Sequence, residues 1–166
     1  MIVVSDTTPL ISLMKIDRLE LLGDLFQNVQ IPQAVFDELT SSEEYRQEAE
    51  IIRNSSILHV EEIADRQAVE RMQTEMALDL GESEAIVLTQ KMNADLLLVD
   101  ERAARSVAKS LGIQITGTIG MLIEAFDSKL LTADDIVICV EGLRRNNRHI
   151  SEKYLQKILD MTKHKT

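Results

Sequence analysis

The chain has 166 residues and a formal net charge of −10, and 45% of its residues are hydrophobic although only 3% are aromatic. This length suits one domain with an aliphatic core, and the single cysteine, Cys139, excludes an intramolecular disulfide and a cysteine-based zinc site. No apolar run is long enough to span a membrane and the N-terminus lacks the basic region of a signal peptide, so we expect a cytoplasmic protein.

The charge is unevenly distributed along the chain. From residue 143 onward seven Lys or Arg stand against two acids, a net of +5, so residues 1–142 carry −15. A basic tail on an acidic body can steer a polyanion towards that body. An equally good interpretation is that these cations are simply solvated at helix ends.

The first predicted element is a strand at residues 2–4. Its β-branched run has no alternating polar positions, which is typical of a strand buried on both faces. A helix starts only a few residues later, so Asp6 lies at the carboxyl end of the strand, where open parallel sheets bind ligands. Asp6 is therefore a candidate for chemistry, although it can also serve only as a helix cap.

Strands and helices alternate through the rest of the chain. The hydrophobic spacing predicts an α/β fold with a parallel sheet in a single domain. Further strands are predicted at 29–31, 57–60, 95–100 and 113–115, and helices at 18–26, 32–40, 43–53, 65–78, 82–92, 101–111, 119–126, after a cap at 132–135, and at 150–163.

Four more acids lie at positions where a charged side chain is expected to have a binding partner or a function. Glu38 follows Val35 by three residues, so we expect it on the inward face of its helix. Glu82 and Glu84 open the helix that follows a break at residues 79–81, and Asp100 ends the strand at 95–100. Acids at a helix start can also be present only because the helix dipole stabilises them.

Taken together, these carboxylates predict a metal site. If the first and fourth strands are neighbours, Asp6 and Asp100 converge at one edge of the sheet. Several carboxylates at one place cannot all stay ionised without a cation. A site of oxygen ligands alone favours Mg²⁺ or Mn²⁺, and such an ion commonly activates water for attack on a phosphodiester.

Four motifs carry a family resemblance. The chain contains V-V-S-D-T-T-P-L-I, I-P-x-x-V-x-x-E-L, G-E-S-E-A-I, and L-L-L-V-D-E-R-A-A-R with a following G-T-I-G. In this order they resemble the PIN-domain family, in a prokaryotic subgroup near the toxin ribonucleases of toxin–antitoxin pairs. The resemblance covers residues 1 to about 131, and leaves about 132–166 as a C-terminal helical extension.

The resemblance implies a three-layer α/β/α sandwich around a parallel sheet, a divalent-metal nuclease centre and a homodimer. It also implies an antitoxin protein that inhibits toxin members. By position it assigns the catalytic and metal-binding acids to Asp6, Glu38, Glu84 and Asp100. Glu82 remains an alternative to Glu84, and Glu101 to Asp100. Glutamate replaces the commoner aspartate at the third position.

Several other residues are candidates for supporting roles. Ser5 and Thr7 flank Asp6 and can orient it by hydrogen bonding. Thr118 can contact phosphate, or can belong to an ordinary turn. Arg102 and Arg105 can approach a nucleic-acid backbone, or can lie on a solvated helix face.

We therefore predict a Mg²⁺- or Mn²⁺-dependent endoribonuclease that acts on RNA, and expect it to be the toxin of a toxin–antitoxin pair. The alternative is a PIN-like module that binds RNA or a protein without turnover. A phosphatase with an aspartate nucleophile fits poorly, because Thr8 stands where that chemistry commonly has a second acid.

Overall fold

The centre of the protein is a five-stranded parallel sheet, seen in a computed structural model that describes residues 1–146, 148 and 150–165. The strand order is β3-β2-β1-β4-β5, and each described pair of neighbours is parallel. The expected pairing of the first and fourth strands is therefore confirmed. The strands are β1 (Val3–Ser5), β2 (Val29–Pro32), β3 (Leu58–Glu61), β4 (Leu96–Leu98) and β5 (Ile115–Thr116).

Helices connect the strands and cover both faces of the sheet, which confirms the predicted three-layer α/β/α fold. A short 3₁₀ turn at Glu43–Tyr45 precedes the fourth helix. The helices are α1 (Thr7–Lys15), α2 (Leu21–Phe26), α3 (Gln33–Ser41), α4 (Arg46–Asn54), α5 (Arg66–Met76), α6 (Leu80–Lys91), α7 (Arg102–Ser110), α8 (Thr118–Asp127), α9 (Ala133–Arg145) and α10 (Glu152–Lys163).

The central strand β1 is buried on both faces, as its composition predicts. Successive side chains of a strand point to opposite faces, and Val3 and Val4 accordingly belong to two different hydrophobic clusters. Both side chains are at most 1% exposed. The two clusters hold β1 in place, and with it the residue that follows its end.

The helix α6 begins two residues earlier than the sequence predicts. Asp79 is its N-cap: Oδ1 of Asp79 accepts from the backbone N–H of Glu82 at 2.8 Å, and Oε2 of Glu82 accepts from the N–H of Asp79 at 3.0 Å. This reciprocal capping box stabilises the helix start. Gly81 therefore lies inside the first turn and does not break the helix.

The C-terminal helices pack through a third hydrophobic cluster. Leu143, Leu155 and Ile158 contact it from α9 and α10, and Leu122 from α8. Cys139 also lies there and is 1% exposed, which confirms its interpretation as a buried apolar residue. Among the helices that the structure describes, none combines the length and apolar character needed to cross a membrane.

The burial of Ile158 makes a testable prediction about α10. Ile158→Ala removes a side chain that is 0% exposed, so we expect the free energy of unfolding in urea to fall by about 2–4 kcal/mol. Lys157→Ala, at an exposed neighbouring position, should change it by less than about 0.5 kcal/mol. Equal effects of the two substitutions would mean that α10 is not part of the cooperative core.

Candidate functional site

Asp6 lies directly after the central strand, at the N-cap position of α1, where its side chain makes no capping hydrogen bond. Its backbone N–H donates to the carbonyl of Leu98 in β4 at 3.0 Å, and the hydroxyl of Ser5 donates to its carbonyl at 2.8 Å. The Asp6 residue is only 3% exposed. The fold thus fixes a carboxylate, out of water, at the carboxyl end of the sheet.

Glu38 approaches Asp6 from α3. The hydroxyl of Thr7 donates to Oε2 of Glu38 at 2.8 Å, which links α3 to the first residue of α1. The expectation that Glu38 lies on the inward helix face is wrong, because Glu38 is exposed while Val35 and Leu39 form the buried face. Glu38 lies at the margin of that face, where its side chain still reaches Thr7.

Gly81 leaves a space beside these two carboxylates. A Cβ atom at this position would lie 3.7 Å from Oδ1 of Asp6, 3.5 Å from Oε2 of Glu38 and 3.6 Å from Oγ1 of Thr7. These are ordinary van der Waals distances, so the backbone would tolerate a methyl group here. The glycine therefore keeps a small volume next to the acids free of protein atoms.

More carboxylates surround this space than the sequence predicts. Burial raises the pKa of Glu82, and the carboxylates of Asp79, Glu101 and Glu38 raise it further, although the bond from the Asp79 backbone opposes them. Glu101 in turn accepts from the hydroxyl of Thr8 at 3.4 Å. Asp79 and Thr8 were not among the predicted residues. The Asp-x-x-Glu spacing of a capping box is the signal that identifies Asp79.

The pKa of Asp6 reports the electrostatic cost of this arrangement. Burial raises it from the ordinary 3.8 to about 7, against the lowering effect of the Thr7 backbone N–H, and the carboxylates of Glu82, Asp79 and Glu38 contribute to the rise. A buried anion among like charges is stabilised either by a proton or by a cation. This carboxylate is therefore suited to bind a cation.

The residues around Gly81 fit a divalent ion by their chemistry. Asp6, Glu38 and Glu82 offer only oxygen donors, which Mg²⁺ and Mn²⁺ prefer, and Gly81 leaves room beside them. In the described part of the chain, no three His, Cys, Asp or Glu side chains are already arranged to hold a metal. Binding would therefore require these side chains to rotate towards one another.

Glu84 belongs to a hydrogen-bonded group that does not include Asp6 or Glu38. Its Oε1 accepts from the backbone N–H of Ala34 at 3.3 Å, and its Oε2 is 3.4 Å from Nη1 and Nη2 of Arg66. Glu84 is 3% exposed, and its partners join α3, α5 and α6. Of the two acids left open at this position, Glu82 is the one that acts on Asp6 electrostatically.

Asp100 is also occupied by protein donors. Its Oδ1 accepts from the backbone N–H of Thr118 at 2.7 Å, and its Oδ2 from the Thr118 hydroxyl at 2.6 Å. A Cβ on Gly117 would lie 2.4 Å from Oδ1 of Asp100, so a side chain there would displace the Asp100 carboxylate. Thr118 therefore binds Asp100 and ties the end of β4 to the start of α8.

The two arginines of α7 differ in their surroundings. Nη1 of Arg105 donates to the carbonyl of Val99 at 2.8 Å, so this half-buried side chain stabilises the end of β4. Arg102 is exposed in the first turn of α7, next to Glu101. Arg102 is therefore the more accessible of the two predicted residues.

Comparison with known proteins identifies the family. A family model described as a PIN domain matches residues 2–164, whereas no curated protein and no solved structure matches the chain. The chain belongs to the PIN-domain family, as its four motifs predict. The match extends past residue 131, where the resemblance was expected to end, and includes the C-terminal helices. PIN domains are generally nucleases, which supports a hydrolase of nucleic acids.

The raised pKa of Asp6 predicts how the metal-free protein responds to pH. Between pH 4 and pH 7 the folded state holds a proton on Asp6 that the unfolded state has lost, so stability falls as the pH rises and then levels off. In EDTA, Asp6→Asn should therefore be more stable than the wild type at pH 8, by up to about 4 kcal/mol, and similar to it at pH 4.

The measurement is urea unfolding at both pH values. Asp134→Asn, at an exposed aspartate in the first turn of α9, provides the control, and should not show this gain at pH 8. A pH-independent difference between Asp6→Asn and the wild type would contradict the raised pKa.

Proposed function

We propose that this member of the PIN-domain family is a Mg²⁺- or Mn²⁺-dependent endoribonuclease. The observation that carries the proposal is the buried carboxylate of Asp6, whose pKa is about 7 because burial and three neighbouring acids disfavour its charge. A divalent cation would remove that penalty. The resemblance and the family assignment support RNA as the substrate.

Asp6, Glu38 and Glu82 would hold the ion, with Glu101 close to Glu82. An ion bound there would supply Lewis acidity, which activates water and stabilises the charge that develops on a phosphodiester. The chain itself orients the ligands, because Thr7 binds Oε2 of Glu38. The burial of Asp6 excludes bulk water from its carboxylate, and Gly81 leaves space for the ion.

Asp100 and Glu84 complete the proposed acidic set. Asp100 follows the strand paired with β1, and Glu84 lies one helical turn after Gly81. Both are bonded within the protein, to Thr118 and Arg66 respectively. We propose that they hold the walls of the site in the metal-free protein and add negative charge to its surroundings.

We further propose a cytoplasmic homodimer that acts as the toxin of a toxin–antitoxin pair. The support for this is the resemblance to the toxin subgroup. Expression of the wild type should arrest the growth of a bacterial host, and expression of Asp6→Asn should not. Relief of the arrest by a small protein encoded next to the gene would identify the antitoxin.

One observation favours a second candidate function, that of a PIN-like module which binds RNA or a protein without turnover. Two of the four predicted catalytic acids, Glu84 and Asp100, are occupied by protein donors. In the described part of the chain no ready-made metal cluster is present. Such a module would bind its partner equally well with Asp6 or Asn at position 6 and without metal.

Cleavage of RNA tests the proposed activity. With Mn²⁺ and a pool of fluorescent single-stranded RNAs, Asp6→Asn should cut roughly 100-fold more slowly than the wild type, or not at all, because it removes the central cation ligand. EDTA should abolish cleavage by the wild type.

Asp95→Asn is the matched control. Asp95 precedes the adjacent strand β4 at the opposite edge of the sheet, where its carboxylate accepts from the backbone N–H of Ile2 at 2.6 Å, a bond that an amide oxygen can also accept. This variant should cleave like the wild type. Equal rates for Asp6→Asn and Asp95→Asn would exclude Asp6 from the chemistry.

Gly81→Ala separates function from stability. Alanine is favoured over glycine in a helix by about 1 kcal/mol, and the new Cβ meets no atom closer than 3.5 Å, so the variant should unfold at equal or higher urea concentration. The methyl group would occupy the space beside Asp6 and Glu38, so RNA cleavage should fall at least roughly tenfold. Unchanged cleavage would mean that this space is not used.

A further inference from the structure

Several basic side chains of the chain already have partners within the protein. Arg66 is paired with Glu84, and Lys15 with the buried carboxylate of Glu48. Arg105 donates to the carbonyl of Val99. A polyanionic substrate that approaches a cluster of acids needs cations that are not already committed.

In the described part of the chain, the hydrogen bonds of Arg148, in the segment between α9 and α10, are all to neutral groups. Its Nε donates to the hydroxyl of Ser12 on α1 at 3.1 Å, and Ser12 is 0% exposed. Its backbone N–H donates to the carbonyl of Leu143 at 3.2 Å, and its carbonyl accepts from the N–H of Ile150 at 2.7 Å. The chain therefore places this guanidinium against a neutral group.

The contact with Ser12 brings Arg148 to the edge of the acidic site. Ser12 lies four residues after Thr8 on α1, so the two share a helix face about 6 Å apart along the axis. Thr8 in turn donates to the carboxylate of Glu101. Arg148 is thus bonded to a residue that lies one helical turn from Thr8, which binds one of the clustered acids.

The electrostatics of Tyr45 connect Arg148 with Glu38, on the α3 side of the site. Burial raises the pKa of the Tyr45 phenol, the carboxylates of Glu44 and Glu38 raise it further, and Arg148 lowers it. Glu38 and Arg148 therefore both lie within electrostatic range of one hydroxyl group. The hydrogen bond to Ser12 on α1 and the electrostatic effect on Tyr45 in the 3₁₀ turn both favour a position of Arg148 at the rim of the site.

We propose that Arg148 binds a phosphate of the RNA backbone beside the acidic centre and so positions the substrate. In the bonds between described residues, its guanidinium uses Nε alone, which leaves Nη1 and Nη2 as the paired donors that suit a phosphate. The inference rests on the proposed function, and it gives the basic C-terminal segment a specific role in it.

The test measures RNA binding without turnover. Fluorescence anisotropy of a labelled single-stranded RNA, with Ca²⁺ in place of Mn²⁺, should show that Arg148→Gln weakens binding roughly tenfold. The slope of log Kd against log salt concentration should fall by about 0.7, which corresponds to one lost phosphate contact. Arg148→Lys should restore part of the affinity and the full slope.

Arg145→Gln is the matched control, because it removes the same charge from an exposed position in the last turn of α9. It should bind RNA like the wild type. Under Mn²⁺, Arg148→Gln should raise KM more than it lowers kcat, since the residue binds substrate outside the metal centre. A structural role alone would leave the salt slope unchanged.

Equal affinities and salt slopes for Arg148→Gln and Arg145→Gln would overturn the inference. If Arg148→Gln does not fold, Arg148→Lys and Ser12→Ala replace it in the binding test. An unchanged RNA affinity and an unchanged salt slope in Ser12→Ala would then count against the inference. A wild type that binds RNA through Arg148 but never cuts it would instead refute the nuclease and leave the role of Arg148 standing.

Discussion

The structure depends on one carboxylate that is kept out of water at the end of its central strand. Asp6 is buried because β1 lies between two hydrophobic clusters, and its backbone is tied to β4. Glu38, Asp79 and Glu82 then add negative charge around it. Such a group is stable only as a neutral acid or beside a cation. The nuclease proposal follows from the need of the Asp6 carboxylate for a proton or a cation.

The buried Glu84 and the half-buried Asp100 are stabilised in a different way. Glu84 and Asp100 have donors supplied by the protein, and their bonds join α3, α5 and α6 in one case and β4 and α8 in the other. Buried charges with such partners hold elements together. These bonds join the elements that follow or flank the central strands of the sheet.

The hydrophobic pattern of the sequence is enough to predict most of the fold. A continuous β-branched run such as residues 2–4, for example, is typical of a strand in the middle of a parallel sheet. The position of Asp6 followed from that strand. The exposure of Glu38 did not, since it depends on how α3 is rotated against α1. The pairing of Glu84 with Arg66 joins two helices, and the approach of Arg148 to Ser12 spans 136 residues. Side-chain contacts of this kind have no periodic signal in a sequence.

The most direct test of the central claim is calorimetric titration of Mn²⁺ into the wild type and Asp6→Asn, which requires no knowledge of the RNA target. If the carboxylates around Gly81 form one metal centre, the wild type binds Mn²⁺ saturably and the variant does not. Equal binding by the two proteins, or no binding by either even with an RNA oligonucleotide present, would contradict the metal centre and favour a PIN-like binding module.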